Sequence, residues 1–529
     1  MKSTTRHVVS GLAIAGATLL AWSAGCGGTK SDSGFGSSNG ASSSSGNSSG
    51  ASSSSGGTSS GSFGDGSVSS SSSGGNTVVC PSGMQCNVSC SGGTQTTITG
   101  KVYDPAGRNP LYNVAVYVPQ SPLQPLPKGV PTGADQCSCA ALFKSGAVVS
   151  ANTIEDGTFT IQNAPVGQQI PLVIQVGKWR RQFKIDTTAC TNNAVPDKTL
   201  LMPNSVLPTN QTDSMPEIAV STGSSDTLEC LLTRIGLPPT EYVAGAGGSG
   251  HIHIFSGGDA NGGPDGLAGT PESTIMPGAP ASPTALWANQ NQLMPFDIVM
   301  LSCEGGETFN PNPAALEQYL NVGGRVFASH YHYAWFSGPM EAKQNFTVPA
   351  DWGTHLATWT QGSNGGTDPV GGQIQTTLNG TAKTFPKGAS LLKWLGIVGA
   401  LGAGVKPNEL PIYQSRYNAS VTPTNGASQT WITADDTTPS PTEYFSFDTP
   451  ANAQPAPDGG APNYCGRVVF SDLHVAGNTT VTPDTSPPPG GCVNGVLSPQ
   501  EKALEFMLFD LSSCVIPDTQ PPPQGVPAQ

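Results

Sequence analysis

Two apolar runs of strand length, separated by one helix, constrain this chain more than anything else in it. The first, Phe296 to Leu301, ends in Ser302-Cys303-Glu304-Gly305-Gly306; the second, Arg325 to Ser329, ends in His330-Tyr331-His332-Tyr333. Between them Asn312 stands at a capping position and Pro313 in a first turn. Leu316, Tyr319 and Leu320 share one face, and Gly323-Gly324 stops the helix. Both runs are apolar at successive positions, not alternate ones, which predicts parallel strands covered on both faces.

The same rhythm surrounds this unit. Pro216 to Thr222 and His251 to Phe255 read as strands. Between them lies a helix with Asp226 and Glu229 as a capping box and Leu228, Leu231, Leu232 and Ile235 as its apolar face. A weak helix spans Ala285 to Gln292. Gly466 to His474 is a further strand, and Ser498-Pro499-Gln500-Glu501 opens a helix lined by Leu504, Met507, Leu508 and Leu511. Strand–helix alternation predicts a flavodoxin-like doubly wound α/β domain over residues 210–515. Residues 337–464 break the rhythm and read as a large irregular insertion with one hydrophobic helix, Ala389 to Leu401, and strands at Trp431 to Thr433 and Tyr444 to Phe447. Residues 516–529 are a Pro-rich tail.

Ahead of this domain the period changes to two. Thr96 to Asp104, Leu111 to Val118, Thr158 to Ile161, Pro171 to Val176 and Arg181 to Ile185 alternate and are separated by turn signals. Short strands at such spacing predict a small β-sandwich over residues 77–205. Within it, Lys178-Trp179-Arg180-Arg181 reads as an exposed edge with a half-buried Trp, or as a grip for a glycan or anion. The composition break near residue 210 predicts that the α/β domain folds without the sandwich.

Residues 27–76 are nearly all Ser and Gly and cannot bury apolar surface. Such a segment is a flexible tether, about 40 Å in root-mean-square span. Before it, Lys2 and Arg6 form a positive N-terminal region ahead of the apolar stretch Val8 to Trp22, too short and too rich in Gly and Ala for a membrane span. Net charge is −13 with 11% charged residues, which excludes a nucleic-acid footprint. There are 12 Cys, and an exported chain retains disulfides. Cys137-Ser138-Cys139 is too tight for a zinc CxxC, so structural disulfides are expected, with connectivity open.

Three resemblances follow from these residues. Ser23-Ala24-Gly25-Cys26 resembles the lipobox of bacterial lipoproteins, although Ser23 stands where Leu is usual. That resemblance implies a signal peptide over 1–26, a lipid on Cys26, and anchoring in the cell envelope by the membrane. Gly27 after the Cys points to the outer membrane of a Gram-negative bacterium. Eleven cysteines then remain for pairing. Gly100-Lys101-Val102-Tyr103-Asp104, Asn113-Val114-Ala115-Val116, Asp156-Gly157-Thr158-Phe159-Thr160-Ile161 and Ala164-Pro165-Val166-Gly167 resemble the carboxypeptidase regulatory-like domain, with Asn113 in place of a Gly. That resemblance implies an accessory module. The order of elements over 215–336 and 463–515 resembles the class I glutamine amidotransferase-like superfamily and its ThuA-like branch. Where amidotransferases place a nucleophilic Cys, this chain has Ser329-His330-Tyr331, and no Glu follows His474.

In open α/β sheets ligands gather beyond the carboxyl ends of the strands. Cys303, Glu304, His330, His332, Asp472 and His474 fall there. Cys303 is either a nucleophile activated by His330 or His474, or a paired or inert buried thiol. His330, His332 and His474, with Glu304 or Asp472 nearby, have the ligand types for zinc or another divalent metal. In an extended chain, however, His330 and His332 point to opposite faces. His251 and His253 are a second i, i+2 pair, read as solvated strand residues. Tyr331, Tyr333, Trp335 and Phe336 form a sugar-stacking platform or a roof over the sheet. The functional expectation is a membrane-anchored envelope lipoprotein that binds a glycan or an envelope protein, or has a structural role. The alternative is a hydrolase or carbohydrate-processing enzyme using the strand-end histidines.

Overall fold

The structure is a computed structural model that describes residues 80–526 except 208, 224, 258–275, 342–344, 362–364, 455–461, 477–488 and 493–494. The expected signal peptide, Cys26 and the Ser/Gly tether lie outside the described residues.

Eight strands form the first part: β1 (Thr97–Tyr103), β2 (Ala115–Pro119), β3 (Ala147–Asn152), β4 (Thr158–Ile161), β5 (Gly167–Val176), β6 (Trp179–Thr187), β7 (Asn192–Ala194) and β8 (Leu200–Leu201). One sheet runs β4-β1-β7 with β8 also on β1, the other β3-β2-β5-β6. Ile98 and Val102 of the first sheet and Val116, Val118, Leu172 and Ile174 of the second are buried in one core, as the period-two pattern requires. Asn113 stands at φ +58°, a left-handed position that Asn tolerates better than most side chains.

The second part is built on β9 (Ile218–Ser221), β10 (Tyr242–Ala244), β11 (Ile252–Phe255), β12 (Ile298–Leu301), β13 (Arg325–Ser329), β14 (Thr358–Trp359), β15 (Val370–Ile374), β16 (Glu409–Ile412), β17 (Ala419–Ser420), β18 (Ser428–Ala434), β19 (Thr442–Thr449) and β20 (Gly466–Ser471). Its helices are α1 (Leu228–Arg234), α2 (Ser282–Ala285), α3 (Gln290–Leu293), α4 (Pro313–Asn321), α5 (Ala334–Ser337), α6 (Pro386–Ile397) and α7 (Pro499–Ser512). One sheet of ten strands runs β10-β11-β9-β12-β13-β20-β19-β18-β15-β16. From β10 to β20 the pairings are parallel, and from β20 to β16 antiparallel. β14 and β17 pair separately.

Alternate residues of the parallel strands enter two different cores. Ile218, Val220, Ile298, Met300, Phe327 and Val469 share one with α1 and α7. Ala219, Val299, Leu301, Val326, Ala328, Val468 and Phe470 share the other with Leu316, Tyr319 and Leu320 of α4. Burial on both faces is why these strands read as continuous apolar runs. It also overturns the solvated reading of His251 and His253. Both are buried, with His251 Nδ1 2.6 Å from Glu241 and His253 Nε2 2.7 Å from Glu217.

The α7 capping box forms as its sequence predicts, with Ser498 Oγ accepting from Glu501 N and Glu501 from Ser498 N. The α1 box does not: Thr227 is the N-cap, without a side-chain cap bond. Asn312 occupies the N-cap of α4, but its amide donates to Ala288 O and leaves the helix uncapped. Residues 337–464 are less irregular than their broken rhythm predicts. They supply β15, β16, β18 and β19, the four strands of the antiparallel end of the ten-stranded main sheet, and β18 and β19 contain the two expected strands.

The sandwich and the α/β layer share one hydrophobic core within the compact unit 67–529. Trp179 is fully buried with its ring 5.7 Å from Phe509, and Tyr112 stacks on Phe506 at 5.8 Å. Lys178 pairs with Asp297 at 2.6 Å, and Arg180 Nε donates to Thr212 O. The Lys178 to Arg181 stretch is therefore an internal joint, not an exposed edge or a glycan grip. Disulfides Cys137–Cys465 and Cys139–Cys514 also cross between the two parts. Cys80–Cys86 and Cys90–Cys190 lie within the first part, Cys230–Cys492 within the second, and Cys303 is free. The expectation of an α/β domain that folds alone loses its basis, because its core is completed by the sandwich.

Candidate functional site

Three adjacent parallel strands deliver the site. β12 pairs with β13 through Leu301↔Ala328, and β13 with β20 through Ser329↔Ser471, so their carboxyl ends lie side by side. Cys303 follows β12 by two residues, His330 follows β13 directly, and His474 follows β20 by three.

His330 has φ +39°, a conformation that costs a non-glycine residue roughly 1–3 kcal/mol. The chain then turns into a short 3-10 helix, His330–Tyr333. This bend answers the expectation that His330 and His332 would alternate as in a strand. Asp226 holds it in place. Its carboxylate accepts from Ser329 Oγ (2.7 Å), Val475 N (3.0 Å), Ala476 N (2.9 Å) and Thr227 N (3.0 Å). One buried side chain thus joins the start of α1, the end of β13 and the turn after β20.

The bend aims His330 Nδ1 at Cys303 Sγ, 3.3 Å away, and at His474 Nε2, 3.0 Å away. The other ring nitrogens are pinned outward. His330 Nε2 lies 3.2 Å from Asn418 Oδ1, and His474 Nδ1 2.8 Å from Gln414 Oε1. Asp472 accepts from Asn418 N (2.6 Å) and Ala419 N (2.8 Å), which fixes the segment presenting Asn418. The site is closed: Cys303 is 0%, His330 3% and His474 5% exposed. Burial, reinforced by the Asp226 and Glu304 carboxylates, pushes the Cys303 thiol up to about 12. Burial, then His474 and the Arg416 guanidinium, hold His330 well below its ordinary value, and burial with Arg416 takes His474 to about 3. Burial thus shifts all three groups toward their neutral forms.

The other sequence-predicted residues stand apart from this trio. Glu304 accepts from Thr308 Oγ1 at 3.0 Å. His332 packs edge-on against Trp335, ring centroids 4.9 Å apart, and burial takes it to about 3. Asp472 acts on the backbone of residues 418 and 419 as described. Tyr333 and Trp335 are fully buried, their polar atoms spent on Glu307 and Thr308 O, so they roof the sheet and offer no open face to a sugar. Tyr331 remains half-buried, its ring 4.1 Å from that of His330.

Asp226, Asn418 and Gln414 escaped the sequence reading. Asp226 looks like a helix cap, and Asn418 and Gln414 lie in the insertion, where no periodicity marks them. A separate cavity of about 110 Å³ lies at the opposite, amino-terminal ends of β9, β12 and β13, lined by Pro216, Ile298, Arg325 and both crossing disulfides. Arg325 there donates to Leu511, Gly323 and Cys465 carbonyls.

No protein-family model and no curated protein matches this chain. Two solved structures of type II cohesin–X-dockerin complexes from Acetivibrio cellulolyticus are similar to part of it. One, an N-terminal interface mutant, is 15% identical with a TM-score of 0.14 and covers 24% of this chain and 76% of that one. The other, a C-terminal interface mutant, is 14% identical with a TM-score of 0.14 and covers 28% and 76%. Likeness of that degree carries no argument about fold or partner.

Proposed function

We propose that this protein is an envelope lipoprotein, anchored through Cys26, whose folded part binds or braces and does not hydrolyse glutamine. The α/β layer is read as an amidotransferase-like, ThuA-like domain without the nucleophile, and the sandwich as a carboxypeptidase regulatory-like module. The sheet supports this reading. Leaving out the short β10, the order β11-β9-β12-β13-β20 is second, first, third, fourth, fifth in the chain, the flavodoxin-like order. Cys303 then ends a strand beside the point where the order reverses, the usual ligand position of such sheets.

The observation that carries the reading is the residue at the strained turn after β13. A thiolate nucleophile would be needed there, with an oxyanion hole at the following helix. His330 occupies that turn, and the thiol sits on the neighbouring strand end, fully enclosed. The hydrolase alternative uses His330 and His474, which are close enough to exchange a proton but reach substrate only if Tyr331 and its neighbours move aside.

Anchoring is tested by fractionating cells that express the chain. Wild type is expected in the membrane pellet and Cys26→Ala in the soluble fraction. Equal retention of Cys26→Ala in membranes would remove the lipoprotein reading.

A further inference from the structure

The trio Cys303, His330 and His474 has an unresolved balance of lone pairs. Asn418 Nδ2 donates to Thr360 O at 2.7 Å, so the amide is oriented and its Oδ1 accepts from His330 Nε2–H. That leaves Nδ1 of the neutral ring bare. Gln414 Oε1 likewise accepts from His474 Nδ1–H, leaving Nε2 bare. Two ring nitrogens thus face each other at 3.0 Å, and the S–H of Cys303 lies 3.3 Å from one of them. One thiol proton satisfies one nitrogen, and the other faces a lone pair in a buried site, where an unmet acceptor is expensive.

We infer that Cys303 Sγ, His330 Nδ1 and His474 Nε2 form a buried site for one thiophilic transition-metal ion, zinc or copper. The three atoms lie within 4.8 Å of one another. Zinc bonds near 2.05 Å to nitrogen and 2.3 Å to sulfur need separations of about 3.3 Å between nitrogens and about 3.6 Å between nitrogen and sulfur. The observed 3.0 and 3.3 Å would open to those values, and Cys303 Sγ and His474 Nε2, which lie within 4.8 Å of each other, would close on the ion by side-chain rotation. On binding, the ion takes the three lone pairs and the thiol proton leaves as H⁺.

The surroundings fit a metal better than a proton relay. Each imidazole donates its remote N–H to a carboxamide oxygen, the outer-shell contact that fixes tautomer and ring plane in metal-bound histidines. Asp472, through the Asn418 and Ala419 amides, holds the outer-shell Asn418. One thiolate and two imidazoles are the ligand types that select zinc and copper over calcium or magnesium. A fourth position is left to water or to a small ligand, which is the arrangement of a site that can also bind. This inference does not rest on the lipoprotein reading, since it concerns atoms that a lipid on Cys26 leaves untouched.

The test uses the full-length chain, dialysed against zinc and analysed for bound metal, with cobalt(II) and copper(II) added in parallel. The expected result is about one zinc per chain. It also includes a near-ultraviolet thiolate-to-cobalt absorption that is absent in Cys303→Ser, with the fold of that variant checked by circular dichroism. A thiolate-to-copper colour with no retained zinc would support the same site with copper as its ion. Absence of both retained metal and thiolate absorption from folded wild type would overturn the inference. Stoichiometric zinc retained equally by folded Cys303→Ser would do so too. Because the wild-type arms decide alone, a variant that fails to fold leaves the test intact.

Discussion

Asp104 Oδ2 and Glu505 Oε1 each lack a donor among the described residues, and the two carboxyls are electrostatic neighbours. Asn109 Nδ2 supplies a donor to Glu505 Oε2 at 2.6 Å. The remaining pair of oxygens is satisfied by one shared proton, and burial followed by the Asp104 charge raises Glu505 well above the ordinary carboxylate range. The folded chain then keeps a proton that the unfolded chain has lost above about pH 5. The contribution is fully present below the unfolded value and lost as pH rises through the folded one. Between pH 5 and pH 8 this pair by itself lowers the stability read by urea unfolding, and the difference between wild type and Glu505→Gln isolates it from the opposite contribution of the buried histidines. Glu505→Gln, which can donate to Asp104, should recover about 1–3 kcal/mol at pH 8 and flatten the dependence. A variant less stable than wild type at pH 8 would contradict the shared proton. At this scale the sequence exposed Cys303, His330 and His474, because strand ends are where sites gather. It hid Asp226, whose capping look disguises a carboxylate that joins three elements.

Elements were legible where local chemistry and packing agree. α7 begins with its full capping box, and β12, β13 and β20 stand where unbroken apolar runs place them. Agreement failed where a polar side chain had a better partner across space than along the chain. Asp226 leaves α1 uncapped to bind the turn after β20, and Asn312 turns from α4 to Ala288 O. In the insertion the expected strands Trp431 to Thr433 and Tyr444 to Phe447 fall inside β18 and β19, whereas β15 and β16, short runs containing Gly371-Gly372 and Pro411, gave no strand pattern. His330 followed from neither pattern: a residue at positive φ breaks the strand just where the extended reading placed its partner His332.

At the scale of the whole molecule, the two parts are one folding unit. Trp179, Trp394, Phe506 and Phe509 are buried in the shared core. Each large apolar side chain so buried is worth about 1.5–3 kcal/mol. The crossing disulfides close sequence separations of 328 and 375 residues, and bridges over long loops contribute about 2–5 kcal/mol each. A fragment starting at residue 210 exposes the sandwich-facing side of α7 and loses the partners of Cys465 and Cys514. It is expected to be insoluble, whereas limited proteolysis of the whole chain should give pieces that separate only after reduction. A soluble, cooperatively unfolding 210–529 fragment would contradict the shared core. No helix among the described residues is long and apolar enough to cross a membrane.

The proposed absence of glutamine hydrolysis is tested most directly by ammonia release from glutamine by the purified full-length chain. Wild type and Cys303→Ser are both expected to stay at the level of a protein-free blank, because the thiol is enclosed and His330 holds the turn. Steady glutamine turnover by wild type that disappears in Cys303→Ser would contradict it and make Cys303 a working nucleophile.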